Sequence, residues 1–232
     1  MIVETMTYQE ICREFDRIKD EFFLRSIHKT DERKIRQYMR AHRDEQIVYF
    51  KPVSCRVDNT SHFVTIPFSY GYKDYKSVGL HGRYFLIYKN RHGLNTVMTA
   101  GYHNEFHIFI TSHFYQRYNE RLLHDDSASK MDLIPQCIIN ADFFVFKPFP
   151  VEGNPNNYIG VTQELIVFAE RIEEHILIVK TCVTSEQAFA SREKAASLLY
   201  DDLIEYSNSW NEIVKHYNNT VIKKKLKRYK FR

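Results

Sequence analysis

The stretch IFITSHFYQRYNERLL, residues Ile108 to Leu123, decides how the rest of the chain is read. It opens on the end of an apolar, β-branched run of the kind that forms a strand, and from Ser112 onward aromatic and charged residues recur at helical spacing. At 3.6 residues per turn His113, Arg117 and Arg121 fall at i, i+4 and i+8, along one face. Ser112 is the expected N-cap, and the partly positive start of the helix adds to the attraction of that face for anions. One imidazole and two permanent cations pointing the same way make a phosphate-facing surface.

Outward from this stretch, the N-terminal side begins with two helices. Tyr8, Ile11, Cys12, Phe15, Ile18, Phe22 and Phe23 lie at helical spacing within Thr7 to Leu24, an amphipathic helix with one buried face. A second helix is expected over about 29–43, with Ile35 and Met39 as its apolar pair and Arg33, Lys34, Arg36, Arg40 and Arg43 around them. From Ile47 the period changes to that of strands: IVYFKPV, HFVTIPFSY, GRYFLIYK and NTVMTAGYHNEFHIFIT read as an antiparallel meander. Turn-forming residues such as Asp58-Asn59 and Asn90-Arg91-His92-Gly93 separate the runs.

On the C-terminal side, Met131, Ile134, Ile138 and Ile139 place a further helix within 127–140, begun late or kinked by Pro135. Strands follow at 143–149, 158–170 and 175–183, the last two joined as a hairpin by a turn at 171–174. Ala188 to Ile204 read as a long helix, and a last helix from about Trp210 leads into a basic tail. Strands and helices are segregated, which predicts an α+β fold with an antiparallel sheet and helices packed on it. The expected divisions are 1–107, 108–184 and 185–232.

The 232 residues are 44% hydrophobic and 15% aromatic, enough for a substantial core. The four cysteines, Cys12, Cys55, Cys137 and Cys182, are far apart and form no C-x-x-C pair, so neither a disulfide framework nor a structural zinc site is expected. No leader and no apolar run of membrane-spanning length is expected, and a cytoplasmic location fits best. The net charge is +4, but Val221 to Arg232 (VIKKKLKRYKFR) carries seven cations and no acid; removing those seven leaves the remainder at −3. Attraction for a polyanion therefore rests on the tail and the central helix, not on overall charge.

The segment from about Phe109 to Thr184 resembles a prokaryotic toxin-like family of the RelE/barnase-type nuclease superfamily. The residues that carry the resemblance are Thr111, His113, Arg117 and Arg121 in a Thr-x-His-x3-Arg-x3-Arg pattern entered from a strand, then the three later strands with Thr181 near the end of the last. The resemblance implies a RelE/barnase-like core carrying an N-terminal helical and β extension and C-terminal helices. It implies metal-independent cleavage of single-stranded RNA, with an antitoxin or other regulatory protein as a further partner.

Such cleavage needs a base for the 2′-hydroxyl, an acid for the leaving 5′-oxygen, and cations on the phosphate oxygens. His113 suits either proton-transfer role, and the forks of Arg117 and Arg121 match phosphate. Glu120 is a candidate second acid or base, and equally a partner for either arginine; Thr181 completes the expected catalytic set. Tyr115 and Tyr118 are candidates for stacking on unpaired bases, and Lys223, Lys224, Lys225, Lys227 and Arg228 for phosphate contacts. No cofactor is expected, and no metal: His103 and His107 in a strand-like run lie roughly 13 Å apart, too far to share an ion with His113. The competing reading is a non-catalytic module on the same core that binds nucleic acid or a partner protein.

Overall fold

A computed structural model describes residues 2, 4–45, 47–100, 106–140, 145–149, 154–161, 165–184 and 205. The expected helices beyond Thr184 and the basic tail lie outside the described residues, as does His103.

The chain opens with helix α1 (Tyr8–His28), held at its start by a reciprocal pair: Glu10 donates its backbone N–H to the Thr7 hydroxyl, and Thr7 donates its own to the Glu10 carboxylate. Helix α2 (Glu32–Ala41) is capped by Asp31, which accepts from the N–H groups of Arg33 and Lys34. Strands β1 (Val48–Tyr49) and β2 (Val53–Arg56) both pair with β3 (Ser61–Ser69), and Pro52, which has no N–H to give a ladder, lies between them. A short helix α3 (Gly71–Val78) then leads into β4 (His81–Asn90), β5 (Gly93–Ala100) and β6 (Phe106–Ile110). Helix α3 departs from the expected meander: its eight residues occupy the gap between two strand-like runs and are too few to show a helical period of their own.

After β6 come helix α4 (Ser112–Tyr118), a widened π-type turn over Asn119–Leu123, and helix α5 (Lys130–Asn140), which continues through Pro135. Strands β7 (Val145–Pro148), β8 (Asn157–Val161), β9 (Leu165–Glu173) and β10 (Ile176–Thr184) complete the described elements. The single strand expected over 158–170 is therefore two strands, and the hairpin turn falls at Glu174-His175 instead of 171–174.

All ten described strands belong to one open sheet in the order β1-β3-β4-β5-β6-β10-β9-β8-β7, with β2 beside β3. The fold is α+β and the pairing antiparallel as expected, with a departure at its centre: β10 lies parallel to β6, Ile178 opposite Phe109 and Val179 opposite Ile110. Two parallel strands cannot be joined by a tight turn, and here α4, α5 and β7 to β9 all lie between them in the chain. The position between 107 and 108 falls inside β6, so one sheet runs across it.

Strand alternation divides the core into two layers. Ile108 and Ile110 of β6, Val179 of β10 and Phe85 and Ile87 of β4 face α4 and α5, where Phe114, Tyr115, Tyr118, Leu133, Ile134 and Ile138 cover them. Phe109, Ile176, Ile178 and Leu86 face the other way, onto Ile11, Phe15, Ile18 and Phe22 of α1. A smaller cluster joins Ile35 and Met39 of α2 to Val48, Tyr72, Tyr75 and Leu80. Among the described residues no helix is long and apolar enough to cross a membrane.

Candidate functional site

The site is built where the parallel pair at the centre of the sheet ends. Both β6 and β10 run toward the same edge, and the chain leaves β6 there to start α4. Thr111, not Ser112, caps this helix: its hydroxyl accepts from the Phe114 N–H (3.3 Å) and reaches the Val179 carbonyl of β10 (3.2 Å). Ser112 is drawn instead to the β4–β5 turn. Its hydroxyl donates to the His92 carbonyl (2.5 Å), and its N–H donates to the side-chain oxygen of buried Asn95 (3.1 Å). Gly93 permits this approach, since its φ of 119° suits glycine and an added Cβ would come within 3.1 Å of the Ser112 Cβ. Arg91 and His92, exposed at the tip of that turn, are thereby brought beside the start of α4. In the sequence they carry the signal of turn residues alone, and their proximity depends on contacts about twenty positions apart.

Within α4, His113 is exposed and has no hydrogen-bond or ion-pair partner among the described residues. Arg117, half-buried, donates to Glu120 (2.7 Å), which also accepts from the Gln116 amide (2.7 Å). Those two bonds, Gln116 first, hold the exposed Glu120 carboxyl below its usual range, so it is ionised near neutral pH. Arg121 leaves the group by donating to the Cys182 carbonyl at the end of β10. The π-type turn places it: five residues fill the widened turn Asn119–Leu123, and such turns are rare and frequent at functional sites. His124 closes the turn in the left-handed region (φ 52°), its N–H donating to the Asn119 carbonyl (2.8 Å).

Burial corrects the reading of the two tyrosines. Tyr115 is 2% exposed and Tyr118 fully buried, so neither can stack on a base. Their hydroxyls are used internally: Tyr115 shares a 2.7 Å hydrogen bond with Thr96, and Tyr118 accepts from the Asn140 amide (3.0 Å). Burial pushes the Tyr115 phenol well above its ordinary pKa. Thr181 stands opposite Phe168 on β9, and it is its neighbour Cys182, fully buried, that faces α4. Burial raises the Cys182 thiol to about 11, against the pull of Arg121 and Arg117 nearby, so it is no nucleophile near neutral pH. Lys223, Lys224, Lys225, Lys227 and Arg228 lie outside the described residues.

Three histidine–carboxylate pairs lie away from α4 among the described residues, one of them the exposed neighbours His175 and Glu174 at 3.9 Å. His107 lies on the α1 face of β6, 3.1 Å from Asp16, and so does not converge with His113. His81 meets the buried Asp74 of α3 at 2.7 Å. Burial alone would raise the Asp74 carboxyl, but bonds from His81, the Tyr70 N–H and Ser69 outweigh it and leave the carboxyl lowered. His81 follows Asp74 by seven residues across a turn, a spacing with no recognisable signature in the sequence. Among the described residues no group of three His, Cys, Asp or Glu side chains is placed to hold a metal ion.

Comparison with protein-family models, with characterised proteins and with solved structures finds no match to this chain. The resemblance of residues 109–184 thus rests on the motif and on the order of elements that follows it.

Proposed function

We propose that the chain is a metal-independent endoribonuclease of toxin or defence type, cutting single-stranded RNA at the start of α4. The observation that carries this reading is His113: exposed, unpartnered among the described residues, on the first turn of a helix that brings Arg117 one turn later. In the reaction a base takes the proton of the 2′-hydroxyl, the 2′-oxygen attacks the phosphorus, and the 5′-oxygen leaves with a proton from an acid. Glu120, kept ionised by Gln116 and Arg117, fits the base; His113 as imidazolium fits the acid. Arg117 retains further N–H donors beyond its bond to Glu120 and can bind a phosphate oxygen as charge builds there.

The test is cleavage of a labelled RNA pool in the presence of EDTA, with products carrying a 2′,3′-cyclic phosphate. His113→Ala abolishes cutting without lowering the melting temperature, since the side chain packs against nothing in the core. Arg117→Lys also loses activity, because an ammonium lacks the planar fork. A substrate with one 2′-deoxy sugar at the cut site is left whole; its cleavage would end this mechanism.

A second reading is favoured by one observation: Arg117 is already paired with Glu120, and Arg121 with the Cys182 carbonyl. The motif then serves to tie α4 to β10 within a non-catalytic module that binds RNA or a regulatory protein. Wild-type protein that binds RNA and cuts none of the pool would establish that reading over the first.

A further inference from the structure

A second surface, away from α4, concentrates positive charge around an open cleft. It lies where the end of α1, helix α2 and helix α3 meet, and it encloses about 710 Å³, within the range of ligand-binding clefts. Arg36 and Arg40 of α2 stand on one wall, one turn or ~6 Å apart along the helix, and Lys76 of α3 stands on the other. All three are exposed, and none has an ion-pair or hydrogen-bond partner among the described residues. Among those residues Glu32 is the one carboxylate lining the cleft, so three cations face a single negative charge. Like charges one turn apart on a helix repel, and an anion from outside relieves the repulsion.

Two tyrosines complete the cleft. Tyr72 and Tyr75 of α3 are half-buried against Ile35 and Met39, which fixes them without hiding them. The guanidinium of Arg43 covers Tyr72, 5.0 Å from its ring centre, which leaves Tyr75 as the ring open to a ligand. Unpaired cations flanking an available aromatic ring are what the phosphates and bases of an unpaired strand require. An acidic peptide satisfies the arginines through its carboxylates but meets Tyr75 with a flat ring only where it carries an aromatic residue, whereas every nucleotide carries one.

We propose that the cleft between α2 and α3 binds single-stranded nucleic acid, Arg36, Arg40 and Lys76 holding successive phosphates and Tyr75 stacking on a base. This stands independently of cleavage at α4. An RNA or a DNA strand satisfies the same surface, since no contact to a sugar hydroxyl is invoked.

The test uses the full chain carrying His113→Ala, so that cleavage does not consume the probe. Binding of fluorescent twelve-nucleotide uridylate RNA and thymidylate DNA is followed by anisotropy across a salt series. Charge reversal at Arg36→Glu with Arg40→Glu weakens both probes at least tenfold and lowers the slope of log K against log salt by about 1.4, about 0.7 for each phosphate that is no longer neutralised. Tyr75→Leu weakens binding about tenfold with the slope unchanged, since stacking releases no counterions. Unaltered melting temperatures in the arginine variant verify its fold, as expected for two exposed side chains. Unchanged affinity and slope on reversing both arginines would overturn the proposal.

Discussion

Tyr115 and Tyr118 sit between the charged residues of the α4 motif, and the burial of their rings changes what substitution there means. Tyr115→Phe removes only a hydroxyl, but it strands the buried Thr96 oxygen that shared its hydrogen bond; a loss of about 1–3 kcal/mol in unfolding free energy is expected. Tyr118→Ala empties a fully enclosed site and costs about 3–5 kcal/mol. Denaturant unfolding measures both, and nucleic-acid affinity per folded molecule stays the same; a stable Tyr118→Ala protein with impaired binding would contradict this assignment. Aromatic and charged residues interleave here in a way that serves a stacking surface and a helix buried on one side equally well. Sequence spacing tells which residues share a face of the helix, but which face meets the sheet is settled by β6, β10 and α5 together.

At the scale of the element, the arginines of α4 and its π-type turn divide into two roles. Arg121 donates to the Cys182 carbonyl, tying the widened turn to the end of β10, whereas Arg117 pairs with Glu120 on the surface of its own helix. Arg121→Gln is therefore expected to destabilise the fold by about 1.5–3 kcal/mol, the contribution of a hydrogen bond to a charged group. Arg117→Gln removes an exposed pair and changes stability by under about 1 kcal/mol. Thermal melting of the two variants decides the point, and equal losses would show that the sheet contact does not anchor the turn. The even spacing of His113, Arg117 and Arg121 makes the three look alike in the sequence. A π-type turn alters the rotation per residue without any composition that announces it, and the Arg121 contact bridges 61 positions.

Over the whole molecule, β10 holds the two halves of the sheet together. It is paired with β6 on one side and β9 on the other, and its side chains are buried under both α1 and α4. Opening it exposes both cores at once, so its amides should open only with global unfolding. Hydrogen exchange is expected to be slowest in Ile176 to Val179 and the facing part of β6, and faster in β7 at the sheet edge. Protection in β7 that outlasts β10 would mean that the sheet does not open as one unit.

The sequence by itself determined the elements whose signals are local. The apolar stripe of α1, the β-branched and aromatic runs from Ile47 onward and the strand-to-helix change after Ile110 are each written in a few neighbouring residues, and they suffice for the α+β class. It did not determine the parallel seating of β10 on β6, the division of 158–170 into two strands, or the closeness of the Arg91-His92 turn to the start of α4. Nor did it show that Arg36, Arg40 and Lys76 ring one cleft, because α2 and α3 are separated by three strands in the chain. Those arrangements depend on which buried faces cover one another. Burial is a property of the assembled layers, and residues far apart in the chain receive their partners only when the layers close.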